Sequence, residues 1–499
     1  MIKIRDNKII IRIVYLLFVA VLTITLCSRS SVLAPYNNWD DANSYFSMGK
    51  GLFSGKVIYR DIFDQKGPYL YLIYGLGFLI SNTSFLGIYF MEISAAFLFL
   101  SGAYKLLKRY MKDRTAYIIL PFIGAVVYSS IAFWWGGSAE EFCLPLLVWS
   151  LYYFVYLMEK ESLEKKDYQY IGIAGTCAGL VALIKFNTLG FFAAWGIFLF
   201  LKLLFQKEYK KMIPLCLSFG VGFLLPFLPW LVYFGLYNAM GDWYKAYIYY
   251  NVFVYADFSR ESYSLGDKIY QLAKILYWLI REHLQFFSFI ILGVVSYVLD
   301  KKKKILNKFA VIGICGLTFL GIYIGGVELK YYSLPLSVFS CLGFAYIGFW
   351  LEKLFLKKEE SKRLLEVIAI CFSVLLSIGI MSVCSLNTEY RKTKKEDHYL
   401  YKLQQAMEIK EDTSLLNISS FDIGLYTVTG IVPSCYWFQT QTLPIEDVLR
   451  DQEEYIRSGK TDYVVAREYF PEVIWEKYEL VAEEKDNLRD TNFFLFKKK

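Results

Sequence analysis

Residues 36–74 read YNNWDDANSYFSMGKGLFSGKVIYRDIFDQKGPYLYLIY and lie between a first apolar run and the next. Two acids stand together at Asp40 and Asp41, two more follow at Asp61 and Asp64, and cations stand at Lys56, Arg60 and Lys66, with aromatic rings between them. Charge gathered where a chain leaves and re-enters lipid marks a site rather than a passive loop.

That the loop borders lipid follows from the rest of the chain. Of 499 residues, 56% are hydrophobic, and the mean hydropathy is +0.37. Repeated apolar runs near 8–27, 83–104, 115–133, 142–158, 169–184, 186–205, 212–234, 283–299, 309–327, 332–351 and 365–385 predict about eleven membrane spans. Helices satisfy their own backbone groups in lipid, so the fold class expected is an all-α polytopic membrane protein. The apolar run 68–80 is short and reads as a re-entrant or interfacial helix, or as part of the second span. Residues 1–27 have basic residues before an apolar segment but no convincing small-x-small cleavage site, and are read as an uncleaved first helix.

The net charge of +8 conceals a split. Residues 1–385 carry 38 basic and 25 acidic side chains, residues 386–499 carry 16 and 21. With the N-terminus inside, the stretches 1–12, 105–114, 159–167, 202–211, 300–308 and 352–363 are cytoplasmic and hold 26 of the 38. This positive-inside pattern accounts for the basic balance without a nucleic-acid partner. It puts the loop 36–66, the turn 134–141, the segment 235–282 and everything after 385 outside.

After 385 the chain reads as a soluble, extracytoplasmic α/β domain, 386–499. Strands are expected at 415–421, 462–466 and 493–496, and an amphipathic helix at 444–459 ending on Gly459. No catalytic motif is visible there. The nine cysteines form no CxxC pair and read as inert thiols, and with His283 and His398 the only histidines, no metal site is indicated.

In this topology a second acid pair, Glu140 and Glu141 after WWGGSA, faces the same side as Asp40 and Asp41. The first pair can also cap a helix over 41–52. Together the pairs supply a general base and an acceptor-orienting partner. Lys66, Lys185 and Lys330 lie on that side, with Arg60 and Arg260; each can snorkel, and as a group they suit an anionic headgroup. The aromatic run Trp243, Tyr244, Tyr247, Tyr249, Tyr250, Phe253, Tyr255, Phe258, Tyr263 reads either as an interfacial belt or as a sugar-stacking wall.

The W-D-D…Y…G…G…Y-R-D…K-G-P pattern, the ELKYYSLP block at 328–335, the Lys-rich loops and the outer C-terminal domain together resemble the C-type (GT-C) membrane glycosyltransferases. The likeness is to the bacterial branch with the aminoarabinose lipid A transferases and the protein O-mannosyltransferases, family-39-like. It covers the whole chain in layout and a few short blocks in sequence. It implies a multi-pass cell-membrane enzyme that moves a hexosyl or pentosyl group from a polyprenyl-phosphate donor to a glycan, lipid or protein acceptor. It implies Asp40 as catalytic base with Asp41 its neighbour, and Lys66, aided by Arg60, Lys185 and Lys330, on donor phosphate. Tyr45, Tyr331 and Tyr332 are expected to wall the substrate. K-G-P stands here where the family commonly has H/K-P-P.

An outer active face fits a membrane-soluble donor, because nucleotide sugars are not supplied there. Phosphate is a good leaving group, so one carboxylate base suffices and inversion is expected. Two other readings share the layout: a transporter or flippase for lipid-linked saccharides, and a saccharide polymerase or ligase. Transporters place charge near the midplane and often repeat their halves. Here the charge sits at helix ends, only Glu92 and Lys185 reach deeper, and the acid-rich loop is the first one.

Reporter fusions after Lys304 and after Lys499 are expected to report opposite sides of the membrane. Both on one side would contradict this topology.

Overall fold

The computed structural model describes residues 2–255, 263–355, 363–441, 445–486 and 489–499. Phe258 and Arg260 lie outside the described residues. The chain divides into two compact units. The first comprises Met1–Ser28, Glu92–Pro229 and Ser262–Thr388; the second comprises Arg29–Met91, Trp230–Glu261 and Glu389–Lys499. The division therefore does not follow the change in composition at 385. The first outer loop folds with the C-terminal segment.

The first unit is helical. Among the described residues, seven helices are long and apolar enough to span a bilayer: Lys8–Cys27, Leu86–Leu107, Ala139–Glu159, Phe186–Phe205, Ile305–Tyr323, Lys330–Lys353 and Leu364–Cys384. Two broken pairs raise the number to nine, Tyr209–Leu224 with Phe227–Leu236 and Leu265–Glu282 with Leu284–Leu299. The count of eleven is not reached. The segments expected at 115–133 and 169–184 form helices Asp113–Tyr128 and Asp167–Ala182, of 16 residues each. At about 1.5 Å per residue, such a helix covers ~24 Å, short of the hydrocarbon core.

Helix packing in this unit uses glycine where lipid offers no hydrophobic drive. A Cβ on Gly175 would lie 2.2 Å from the Phe219 carbonyl oxygen, and one on Gly222 would lie 2.1 Å from that of Gly172. Helices Asp167–Ala182 and Tyr209–Leu224 thus touch backbone to backbone.

Ion pairs tie the lysine-rich stretches to one end of this unit. Glu159 accepts from Arg109 at 2.5 Å and Lys303 at 2.6 Å. Lys304 pairs with Glu161, and Arg114 with Glu366. Glu352 accepts from the Lys112 amide and the Thr115 hydroxyl. The Arg12 guanidinium lies over the Tyr104 ring. The expected outer turns meet at the other end, where Asn387 donates to the carbonyls of Cys27 and Trp134.

The second unit is built on helix Asp40–Phe53, whose residues 42 to 51 are all buried. One face packs on helix Pro68–Phe78 through Tyr45 and Phe46 against Tyr74, and through Gly49, where a Cβ would lie 2.5 Å from the Gly75 nitrogen. The other face is polar and meets the C-terminal segment.

That segment holds a four-stranded sheet in the order β1-β2-β4-β3, with β1 Leu415–Ile418, β2 Tyr463–Arg467, β3 Tyr478–Asp486 and β4 Thr491–Lys498. β1 and β2 are parallel and joined through helix Glu446–Ser458, which ends at Gly459 in the left-handed region, φ 61°. The remaining pairs are antiparallel. The core beneath is Leu416, Ile418, Ile456, Val464, Ala466, Ile474 and Phe496. Strand β3 was not expected, because YELVAEEKD is rich in acids; it is an edge strand, where charge guards against further pairing. The aromatic run is a wide-turned helix over Tyr244–Tyr255. Tyr250 packs on Phe63, and Asn251 donates to the Gln65 carbonyl at 2.7 Å.

Candidate active site

Asp40 and Asp41 occupy the first turn of helix Asp40–Phe53 after Trp39, the cap residue, which makes no side-chain capping bond. The two acids have different surroundings. Asp40 is held at both oxygens: Oδ2 by Arg467 at 2.8 Å and Oδ1 by Arg489 at 3.2 Å. Arg489 also donates to the Asn38 carbonyl. Asp41 accepts from the Tyr45 hydroxyl at 3.2 Å. Tyr45, expected in a substrate wall, is 2% exposed and donates to Asp41.

Lys66 and Asp64 join this group. Asp64 is buried, accepts from the Tyr71 hydroxyl at 2.8 Å, and has its carboxyl pushed up by burial, with Lys66 opposing the shift and Asp41 adding to it. The Lys66 peptide is pinned on both sides: its amide donates to Tyr71 Oη, and its carbonyl accepts from Tyr59. Gly67 and Pro68 then start the next helix, Pro at its first position, so Lys66 immediately precedes a helix N-terminus. Arg60, expected on phosphate, is exposed. It pairs with Asp61 at 2.8 Å and donates to the Tyr237 carbonyl at 2.9 Å.

In the first unit, Glu140 is ion-paired with Lys185, whose ammonium lies 3.6 Å from the Tyr332 ring centre and 5.4 Å from that of Tyr331. All four are buried. Glu141 turns the other way. It accepts from the Gly137 amide at 2.8 Å on the side of Glu92, which Ser28 contacts. Gly136 permits the approach, since a Cβ there would lie 2.4 Å from Glu92 Oε1. Lys330 is exposed at the start of the Lys330–Phe339 turn. So Asp41, Tyr45, Asp64 and Lys66 are brought together, as are Glu140, Lys185, Tyr331 and Tyr332. Arg60 and Glu141 are not joined to either set. Among the described residues, no group of three or more His, Cys, Asp or Glu is arranged to hold a metal ion.

Sequence reasoning missed Arg467 and Arg489, which are 427 and 449 residues from Asp40. It also passed over Lys50 and Asp422. Lys50 is fully buried and donates to the carbonyls of Tyr426 at 2.7 Å and Ile431 at 3.3 Å. Asp422 accepts from Ser47 at 2.6 Å and from the Gly424 amide at 2.8 Å. A signal existed for Lys50. In a helix that starts at 40, it falls on the same face as Ser44 and Ser47.

A family model described as dolichyl-phosphate-mannose-protein mannosyltransferase matches residues 65–233. Among solved structures, ArnT from Cupriavidus metallidurans bound to undecaprenyl phosphate is similar at TM-score 0.63 and 12% identity, covering 98% of each chain. The oligosaccharyltransferase of Archaeoglobus fulgidus tethered to an acceptor peptide is similar at TM-score 0.53 and 14% identity, covering 90% of this chain and 68% of that one. No curated protein sequence matches the chain. The chain therefore has the fold of the C-type membrane glycosyltransferases and resembles ArnT and the protein mannosyltransferases.

Burial lowers the Lys50 ammonium to about 7 and raises the Asp422 carboxyl to about 6. For Lys50, the unfolded chain holds the proton between pH 7 and 10.5 and the folded chain does not, so stability rises with pH across that window. For Asp422 the sign is opposite, and stability falls as pH rises from 3.8 to about 6. Thermal midpoints are expected to climb from pH 7 toward 10, by up to about 1.4 kcal/mol per pH unit for one proton, and Lys50→Met is expected to remove that climb. An identical climb in wild type and variant would contradict this assignment.

Proposed function

We propose that this chain is an integral-membrane glycosyltransferase that moves a sugar from a polyprenyl-phosphate donor to a cell-surface acceptor on the outer face of the plasma membrane. The observation that carries the reading is the division of labour in the acid pair. Both oxygens of Asp40 are bonded to guanidinium groups, which tie this carboxylate to two arginines. Asp41, one residue on, accepts from Tyr45 and adds to the upward push on the Asp64 carboxyl. We therefore assign the base to Asp41 and a positioning role to Asp40, the reverse of the order that the family resemblance implies.

In this mechanism, Asp41 takes the proton of an acceptor hydroxyl. The acceptor oxygen attacks the anomeric carbon from the face opposite the phosphate. The carbon–oxygen bond to phosphate breaks, its electron pair leaves with polyprenyl phosphate, and the configuration inverts. Lys66 and the N-terminal amides of helix Pro68–Phe78 hold the developing phosphate charge. With such a leaving group no general acid is required. The solved ArnT complex holds undecaprenyl phosphate, which supports a donor of this class.

The Glu140–Lys185 pair under Tyr332 is fully internal, so removing one partner strands a buried charge. We assign it to holding the ELKYYSLP turn in place rather than to binding phosphate.

Mass spectrometry of surface glycans and glycolipids, from cells carrying only a variant chain, tests the assignment. Asp41→Asn is expected to insert normally and to lower transfer by about 10²–10⁴-fold, the typical contribution of a general base. Asp40→Asn is expected to retain more transfer. Loss in Asp40→Asn alone would return the base to Asp40, and full transfer in both would place it elsewhere.

A further inference from the structure

The lysine-rich end of the first unit contains a cavity of about 490 Å³ that the proposed reaction does not use. Its floor is polar. Lys202 is 3% exposed, and its ammonium donates to the Leu157 and Lys160 carbonyls at the end of helix Ala139–Glu159, with no carboxylate bonded to it. Asn307 is 5% exposed and lines the cavity. Gln206 donates to the Glu161 carbonyl, while its Oε1 is buried without a partner. Lys160 and Lys304 stand at the edge, paired with Asp167 and Glu161. The outer wall is apolar and exposed: Phe205 at 69%, Ile305 at 68% and Phe309 at 59%.

Helix capping accounts for the two bonds of Lys202. It does not account for a buried Gln206 amide oxygen without a partner among the described residues, or for large apolar side chains bordering a polar floor. A soluble anion needs no such border, but a lipid does. Basic pockets between helices at the cytoplasmic surface bind anionic headgroups, and on the positive-inside reading this end faces the inner leaflet.

We propose that this cavity is a binding site for an anionic phospholipid of the inner leaflet. Lys202, Asn307 and Lys304 hold the phosphodiester, and the acyl chains lie along Phe205, Ile305 and Phe309. The site is independent of the transfer reaction.

The test uses the full chain in bilayer discs of phosphatidylglycerol and phosphatidylcholine, then native mass spectrometry to count retained lipids. Wild type is expected to keep one phosphatidylglycerol in preference to phosphatidylcholine. Asn307→Leu, which replaces the amide with an apolar side chain of similar size, is expected to lower that retention at least about tenfold. Lys304→Gln tests the same contact at an exposed position if Asn307→Leu does not fold. Lys301→Gln removes one charge from the same loop outside the cavity and is expected to leave retention unchanged. Equal retention of both lipids, unchanged retention in Asn307→Leu and Lys304→Gln, or an equal loss in Lys301→Gln would overturn the proposal. Displacement of the lipid by millimolar inorganic phosphate would overturn it in favour of a soluble anion.

Discussion

The second unit depends on one helix being held from both sides. Asp40, Asn43, Ser44, Ser47 and Lys50 recur at helical spacing, and each bonds to the C-terminal segment: Arg467 and Arg489, Thr427, Gln439, Asp422, and the Tyr426 and Ile431 carbonyls in turn. The opposite face is closed by Pro68–Phe78 at a distance only glycine allows. Burying Lys50 and Asp422 costs free energy unless their hydrogen bonds are made. A neutral amine has two N–H groups, enough for the two carbonyls it meets. The helix is thus fixed in rotation and in depth, which fixes the direction in which Asp41 points.

On the proposed mechanism, two adjacent acids of the same type do different work. Asp40 is held by Arg467 and Arg489, which join the C-terminal segment to the helix that carries both acids. The proposal gives Asp41 the proton transfer, and it expects substitutions at Arg467 or Arg489 to act on transfer through geometry.

Much of this was legible in the sequence, for physical reasons. Repeated apolar runs, and lysines gathered in alternate loops, pointed to the helices and their common end. The strands at 415, 463 and 493 and the stop at Gly459 followed from short apolar runs and a left-handed cap. The limits are equally physical. The count of eleven spans is not confirmed, because two helices are 16 residues long and two helix pairs are bent, one after Leu224 and one at His283. Strand β3 hid behind its acids. The partners of Asp40 lie more than 400 residues away, so no local pattern reports them. The sequence alone could not separate Asp40 from Asp41, because the ion pairs that distinguish their surroundings are tertiary.

The direct measurement is a double-mutant cycle on transfer rate, with Asp40→Asn, Arg489→Met and both together in the full chain. If Asp40 works only by anchoring, the double variant loses no more than the worse single one, with a coupling free energy of about 1–3 kcal/mol. If the two losses simply add, Asp40 has a role of its own in the reaction, and the anchoring account is contradicted.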